Sequence, residues 1–325
     1  MKKICLIFSV FIFGFTSCET DFDVNAAWEE VTVIYGLLDA GDGEEVQKIK
    51  ISKAFLGEMD ALQMAQHADS INFDEGELDV KVIRVKNNGN TDTIPLLEVP
   101  TVRDEGDFND SIRVYTFENE DDFLKTNYAI YKLLIKNTIT GNVVSSKTSI
   151  ISGFDFDNVF RNNKAFQFGF YNNNDYSLST VTWDDSNDNG KIYQLDLVIN
   201  YTENQISKQL IFSQPLVDKT ETKMSIEGES FFNFLRAGLI KDNTKVRYFN
   251  SIDLVMTVGS EDLDTYIKVN KPITGIVQER PQFSNINNGI GLFSSRFTKT
   301  RYSFPLTSAS LDFLKSTDGL DRNFQ

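Results

Sequence analysis

Residues 182–197 read TWDDSNDNGKIYQLDL, and the class of fold turns on whether they form a loop between helices or a turn between strands. Counted from Asp185, the stretch sets Asp185, Asn187, Asn189, Gly190, the apolar Ile192 and Asp196 in the order of a helical calcium loop, whose oxygen ligands alternate around a glycine and end on a carboxylate. Such a loop needs a helix on each side. Here LSTVTW (178–183) precedes it and KIYQLDLVINY (191–201) follows, and both alternate apolar with polar residues at period two, as half-buried strands do. Asn189-Gly190 also suits the positive-φ positions of a hairpin. The stretch is therefore expected to be a hairpin turn. Calcium at Asp185, Asn187, Asn189 and Asp196 is the alternative, because strand-flanked Asp/Asn loops also hold the ion. No other metal or cofactor is expected.

Working outward, the same alternation recurs. VTVIYGLL (31–38) and VQKIKIS (46–52) flank the turn signal AGDG, and LDVKVIRVK (78–86) is turned at Asn88-Gly89. SIRVYTF (111–117), YAIYKLLIK (128–136) and VVSSKTSII (143–151) continue the series. Residues 154–164, FDFDNVFRNNK, lose the pattern, and a boundary is expected there. Beyond it FQFGFY (166–171), ISKQLIFSQ (206–214) and VRYFNSIDLVMTV (246–258) read as strands. Apolar residues three or four apart predict short helices over 60–70, 230–239 and 261–270. The expected fold is mainly β, with two β-sandwich-like domains (29–153 and 165–325) and a few short helices added.

At the N-terminus Lys2 and Lys3 precede the apolar run ICLIFSVFIFGF (4–15), then Thr16, Ser17 and Cys18. A cationic start, an apolar run too short to span a bilayer and small residues before a cut describe an export signal. A cysteine directly after the cut resembles a bacterial lipobox. The expectation is a signal peptide over 1–17, lipidation of Cys18, and an acidic tether over 18–28. With Cys5 in the signal, only one cysteine remains and no disulfide is expected. The net charge is -15, with 32 Lys plus Arg against 47 Asp plus Glu and no basic cluster, so nucleic acid is not an expected partner.

Four segments, IYGLLD (34–39), KAFLGEMDALQMAQHADSINF (53–73), IYQLDLVINYTE (192–203) and NINNGIGLFSSR (285–296), resemble the DUF4249 family of Bacteroidetes outer-membrane lipoproteins, whose function is unknown. In that group acids after the lipidated cysteine, here Glu19, Asp21 and Asp23, resemble a tag for export to the outer face. The resemblance implies a cell-envelope accessory role beside a TonB-dependent transporter. It leaves open whether the surface or the periplasmic face is occupied.

Residues able to carry chemistry are few. His67 is the single histidine, G-x-S-x-G and phosphate-loop patterns are absent, and no pair among the acids of DEGD (104–107) or ENEDD (118–122) stands out. No catalytic residue is assigned and the chain is not expected to be an enzyme; a hydrolase with paired carboxylates is a distant alternative. In NNGIGLFSSR, Gly289 and Gly291 permit unusual backbone, Phe293 can bury and Arg296 can pair with a carboxylate. Asn288, Gly289, Gly291, Phe293 and Arg296 are the candidate partner-binding loop, against a plain closure plugged by Phe293. The expected function is a lipid-anchored, non-enzymatic binding or accessory protein of the cell envelope. The rival, a surface glycan- or peptide-binding adhesin-like module, needs a groove lined by tyrosines and Trp183 or Trp28, although 27 Phe against 2 Trp favours packing.

Overall fold

The computed structural model describes residues 31–42, 45–54, 71–102, 111–125, 129–151, 153–157, 166–184, 189–272 and 282–325. The expected signal and tether with Cys18 and Trp28, the expected helix over 60–70 with His67, the acids at 104–107, and Asp185 and Asn187 lie outside them. In the first half the strands are β1 (Val31–Asp39), β2 (Val46–Ala54), β3 (Leu78–Val85), β4 (Thr91–Pro95), β5 (Leu97–Val102), β6 (Ser111–Glu118), β7 (Ile130–Asn137) and β8 (Val143–Ser149). The second half has β9 (Tyr171–Asn172), β10 (Asp175–Tyr176), β11 (Leu178–Thr182), β12 (Gly190–Glu203), β13 (Ile206–Ser213), β14 (Val217–Asp218), β15 (Lys223–Glu227), β16 (Arg247–Ser260) and β17 (Ile290–Phe304). Its helices are α1 (Gly228–Gly238), α2 (Glu261–Asn270) and α3 (Ser308–Lys315). The chain is mainly β with a few short helices.

Two hydrophobic cores form, the first mainly from β1–β8 with Ile286 and Phe293 added, the second mainly from the later elements with Ile151, Phe154 and Phe156 added. Ile34, Ile49, Tyr115 and Phe117 on one sheet meet Val82, Tyr131, Leu133 and Ile135 on the four-stranded sheet β4-β3-β7-β8, and this first half is a sandwich. In the second half Leu195, Leu197, Leu254 and Met256 are covered by Phe231, Phe232 and Leu235 of α1, Leu314 of α3 and the small β11/β15 ladder. Helices therefore do much of the work that a second full sheet was expected to do.

One sheet serves both cores. One nine-stranded sheet runs β13-β12-β16-β17-β1-β2-β6-β5, with β14 also on β12. The crossing strand is β17. Its first part pairs parallel with β1, from Val33↔Ile290 to Asp39↔Arg296, and its second part pairs antiparallel with β16, from Gly259↔Arg296 to Ile252↔Phe304. Arg296 stands where the partner changes.

The opening stretch is also not a hairpin. β11 pairs with β15, and β12 pairs with β13 and β16, so the two strands on either side of the expected turn belong to different sheets. Period two shows that a segment is a strand and which side chains share a face; it does not name the neighbour. The β3–β4 turn at Asn88-Gly89 does form as expected, with Gly89 at φ 83°.

Candidate functional site

Alternation along β1 puts Ile34, Gly36 and Leu38 into the first core and turns Val33, Tyr35 and Leu37 to the outer face. The parallel register sets Leu292 beside Tyr35 and Arg296 beside Asp39 on that face. Helix α2 lies over it. Gly259 allows the close approach, since a Cβ there would come within 2.9 Å of both Ile192 and Leu263. Two polar ties fix the helix: the Ser260 and Ser294 hydroxyls are 2.5 Å apart and buried, and Asn285 donates to Asp262 (2.9 Å) and to the Phe293 carbonyl (2.8 Å).

Between α2 and the sheet lies a groove of about 390 Å³. Leu263, Tyr266 and Ile267 form its helical wall, and Tyr35, Leu37 and Leu292 its floor. Tyr35 and Tyr266 meet edge to face, with centroids 6.2 Å apart at 71°. A hydrogen bond with Tyr35, reinforced by burial, raises the Tyr266 phenol above its ordinary pKa.

Asp39, Gln47, Lys48 and Arg296 also line the groove, toward the end to which β1 and β17 both run. Asp39 is buried, yet four donors satisfy it: the Gly41 N–H (3.0 Å), the Thr298 N–H (3.1 Å), the Thr298 hydroxyl (2.7 Å) and Arg296 Nε (2.9 Å). Gln47 holds its main chain from both sides, accepting from the Asp39 N–H at 2.8 Å and donating to the Asp39 carbonyl at 3.1 Å. The Arg296 side chain is 37% exposed and is gripped along its Nε edge, while its two Nη groups donate to nothing among the described residues. A guanidinium fixed on one edge presents the other as a ready fork for a planar anion.

On the far side of α2 a second cavity of about 370 Å³ shares Leu263 and Ile267 and is floored by Gln194 and Asp196 of β12. Asn189 instead donates to the Ile150 carbonyl (2.9 Å) and lines a separate polar cavity beside Lys191 and Asp262. The two described members of the calcium alternative are thus held apart, roughly 20 Å along β12 at the usual strand rise. Among the described residues no group of three His, Cys, Asp or Glu is placed to hold a metal.

The candidate loop 288–296 is a strand with its lead-in, and two of its members are withdrawn as contact residues. Phe293 is fully buried in the first core, and Gly291, at φ 117°, lies against β1 so closely that a Cβ would sit 2.0 Å from the Ile34 carbonyl oxygen. Gly289 faces the Thr32 carbonyl, and exposed Asn288 donates to the Val143 carbonyl at 3.1 Å. Of the five, Arg296 reaches the groove. Trp183 is withdrawn as a sugar platform, being 1% exposed and stacked on Tyr193. Tyr35, Asp39 and Tyr266 were not singled out, although period two in IYGLLD puts Tyr35 and Asp39 on one face, and the spacing in EDLDTYIKVN puts Leu263 beside Tyr266 and Ile267. No family model matches the chain, and no curated protein matches it.

Proposed function

We propose that the chain is a lipid-anchored protein of the cell envelope, held in the outer membrane through Cys18, that works by non-covalent binding at the α2 groove. The observation that carries the reading is the Asp39–Arg296 pair: a buried carboxylate spends its acceptors on orienting a guanidinium toward an apolar groove. That is a recognition arrangement, since the four donors to the carboxylate are protein groups and one of them is the guanidinium it orients. Anchoring is supported by the apolar run and by Cys18 directly after Thr16 and Ser17, with more than one acyl chain needed for stable attachment. An accessory role beside a TonB-dependent transporter follows from the resemblance to the DUF4249 lipoproteins.

Two measurements test this. Cys18→Ser should move the protein from the membrane to the soluble fraction, and unchanged partitioning refutes the anchor. A photo-crosslinking residue replacing Tyr266 should capture a transporter or another envelope protein in intact outer membranes, whereas one replacing Ile206 on the edge strand β13 should not. No specific product from position 266 refutes the groove as the contact site.

A further inference from the structure

Resting on the groove as the binding site, we infer that it takes a small apolar monocarboxylate: the acid on the Nη edge of Arg296 and the apolar body against Tyr35, Leu292 and Tyr266. Spacing supports this. From Tyr35 to Asp39, and from Leu292 to Arg296, is four residues along paired strands, roughly 13 Å at the usual rise, so a ligand of that length spans the aromatic pair and the guanidinium together. The volume of about 390 Å³ lies near the lower end of the roughly 300–1,000 Å³ found for small-molecule sites.

Charge selects the head group. Asp39 spreads its charge over four donors, leaving the outer edge of Arg296 as the donor fork on this face. A planar carboxylate matches two parallel N–H groups in a way that a hydroxyl or an amide does not. A sugar would need many hydrogen-bonding partners spread over its ring, whereas the polar groups of this lining, Asp39, Gln47, Lys48 and Arg296, gather at one end and most of the remainder is aliphatic or aromatic. Tyr35 is 44% exposed although it lies beside the buried Leu292, so the apolar floor is open to an entering ligand.

The probe is 4-phenylbutanoate, with the uncharged 4-phenylbutanamide as its near-isostere, titrated calorimetrically into the full-length chain purified in detergent against a micelle baseline. Saturable one-to-one binding of the acid is expected. The amide should bind at least about tenfold more weakly, in line with the strength of charge-assisted hydrogen bonds. Arg296→Gln should abolish the difference between acid and amide, and Tyr266→Ala should weaken both. If Arg296→Gln lowers the melting temperature, Arg296→Lys supplies the comparison: it keeps the charge, loses the fork and should fall between wild type and Gln. No saturable binding of the acid, equal binding of acid and amide, or unchanged discrimination in Arg296→Gln each overturns the inference. Crosslinking from position 266 without acid binding sinks this ligand class alone, while failure of both sinks the groove.

Discussion

Replacing Arg247 by Met should cost about 3 kcal/mol. The Arg247 side chain is 1% exposed, with Nε 2.9 Å and Nη2 2.7 Å from Glu203 Oε2, Nη1 2.6 Å from the Arg322 carbonyl and Nη2 3.1 Å from the Ile240 carbonyl. Removing one partner of a buried ion pair typically costs about 3–5 kcal/mol, because the other charge stays behind. Here Lys208 still pairs with Glu203 and Lys245 lies 4.0 Å away, which puts the expected loss at the lower end. At roughly 2–4 °C per kcal/mol for a unit of this size, the melting point should drop by about 6–12 °C. Trp183, buried in the same core, reports the transition by fluorescence. Glu203→Met should be at least as damaging, since it leaves an almost wholly buried guanidinium facing only carbonyls. The double variant should recover most of the loss, because an apolar pair of similar volume is often neutral in such a site. Arg247 also holds residues 323–325 through its backbone, accepting from the Gln325 N–H (2.9 Å) and donating to the Asn323 carbonyl (3.1 Å). A loss under about 1 kcal/mol, or a double variant as unstable as the two singles combined, would refute a buried charge pair as the clamp.

Other perturbations probe different supports. Gly291→Ala should leave little soluble protein, because a side chain there meets the Ile34 carbonyl at 2.0 Å and φ 117° disfavours any L-residue; wild-type yield and melting point would contradict the β1–β17 register. Ser310→Ala removes a buried hydroxyl that accepts from the Phe170 N–H (2.8 Å) and the Tyr171 N–H (3.0 Å), for an expected loss of about 2 kcal/mol by chemical denaturation; no change would mean that those amides find other acceptors. Hydrogen bonds from Lys208 first and Arg247 second hold the Glu203 carboxyl below the usual carboxylate range despite burial. A depressed folded-state pKa contributes stability above the unfolded value, and that stability disappears as pH falls through the folded one. Melting points should thus decline below about pH 4, and Glu203→Gln should be less stable at pH 7 but flatter on the acid side. An unchanged acid slope in that variant would assign the decline to other groups.

Where one face of a strand packs and the other does not, the sequence was legible. β12 and β16 alternate over 14 residues each because their inner faces meet a core while their outer faces carry residues such as Gln194, Asp196 and Thr257. The expected helices at 230–239 and 261–270 form at Gly228–Gly238 and Glu261–Asn270, since each buries one side only. β4 and β5 escaped notice because they are short edge strands with Pro95 and Pro100, a poor match to an alternating template. α3 escaped for a different reason. Its signal is a cap, the Thr307 hydroxyl accepting from the Ser310 N–H, ahead of barely two turns of helix.

The stretch that binds the molecule together was the hardest to read, and the cause is physical. From Gly291 to Ser295 every residue of β17 is buried, so period two vanishes: Phe293 fills the first core, Leu292 and Ser294 lie beneath α2, and Ser295 donates to the Ser149 carbonyl at 2.6 Å. A strand covered on both faces, with glycines where β1 presses closest, has the same text as a loop. The same burial ties the groove to the fold. Arg296 is both the residue at which β17 exchanges β1 for β16 and the side chain that Asp39 aims into the groove, with 257 residues of chain between the partners. Arg296 lies on β17, so it meets Asp39 only when β17 has docked on β1 and the two halves share one sheet. On the proposed binding role, the outer edge of Arg296 therefore reports the joined state. A variant that folds both cores but loosens the β1–β17 pairing should lose binding at the groove before it loses either core.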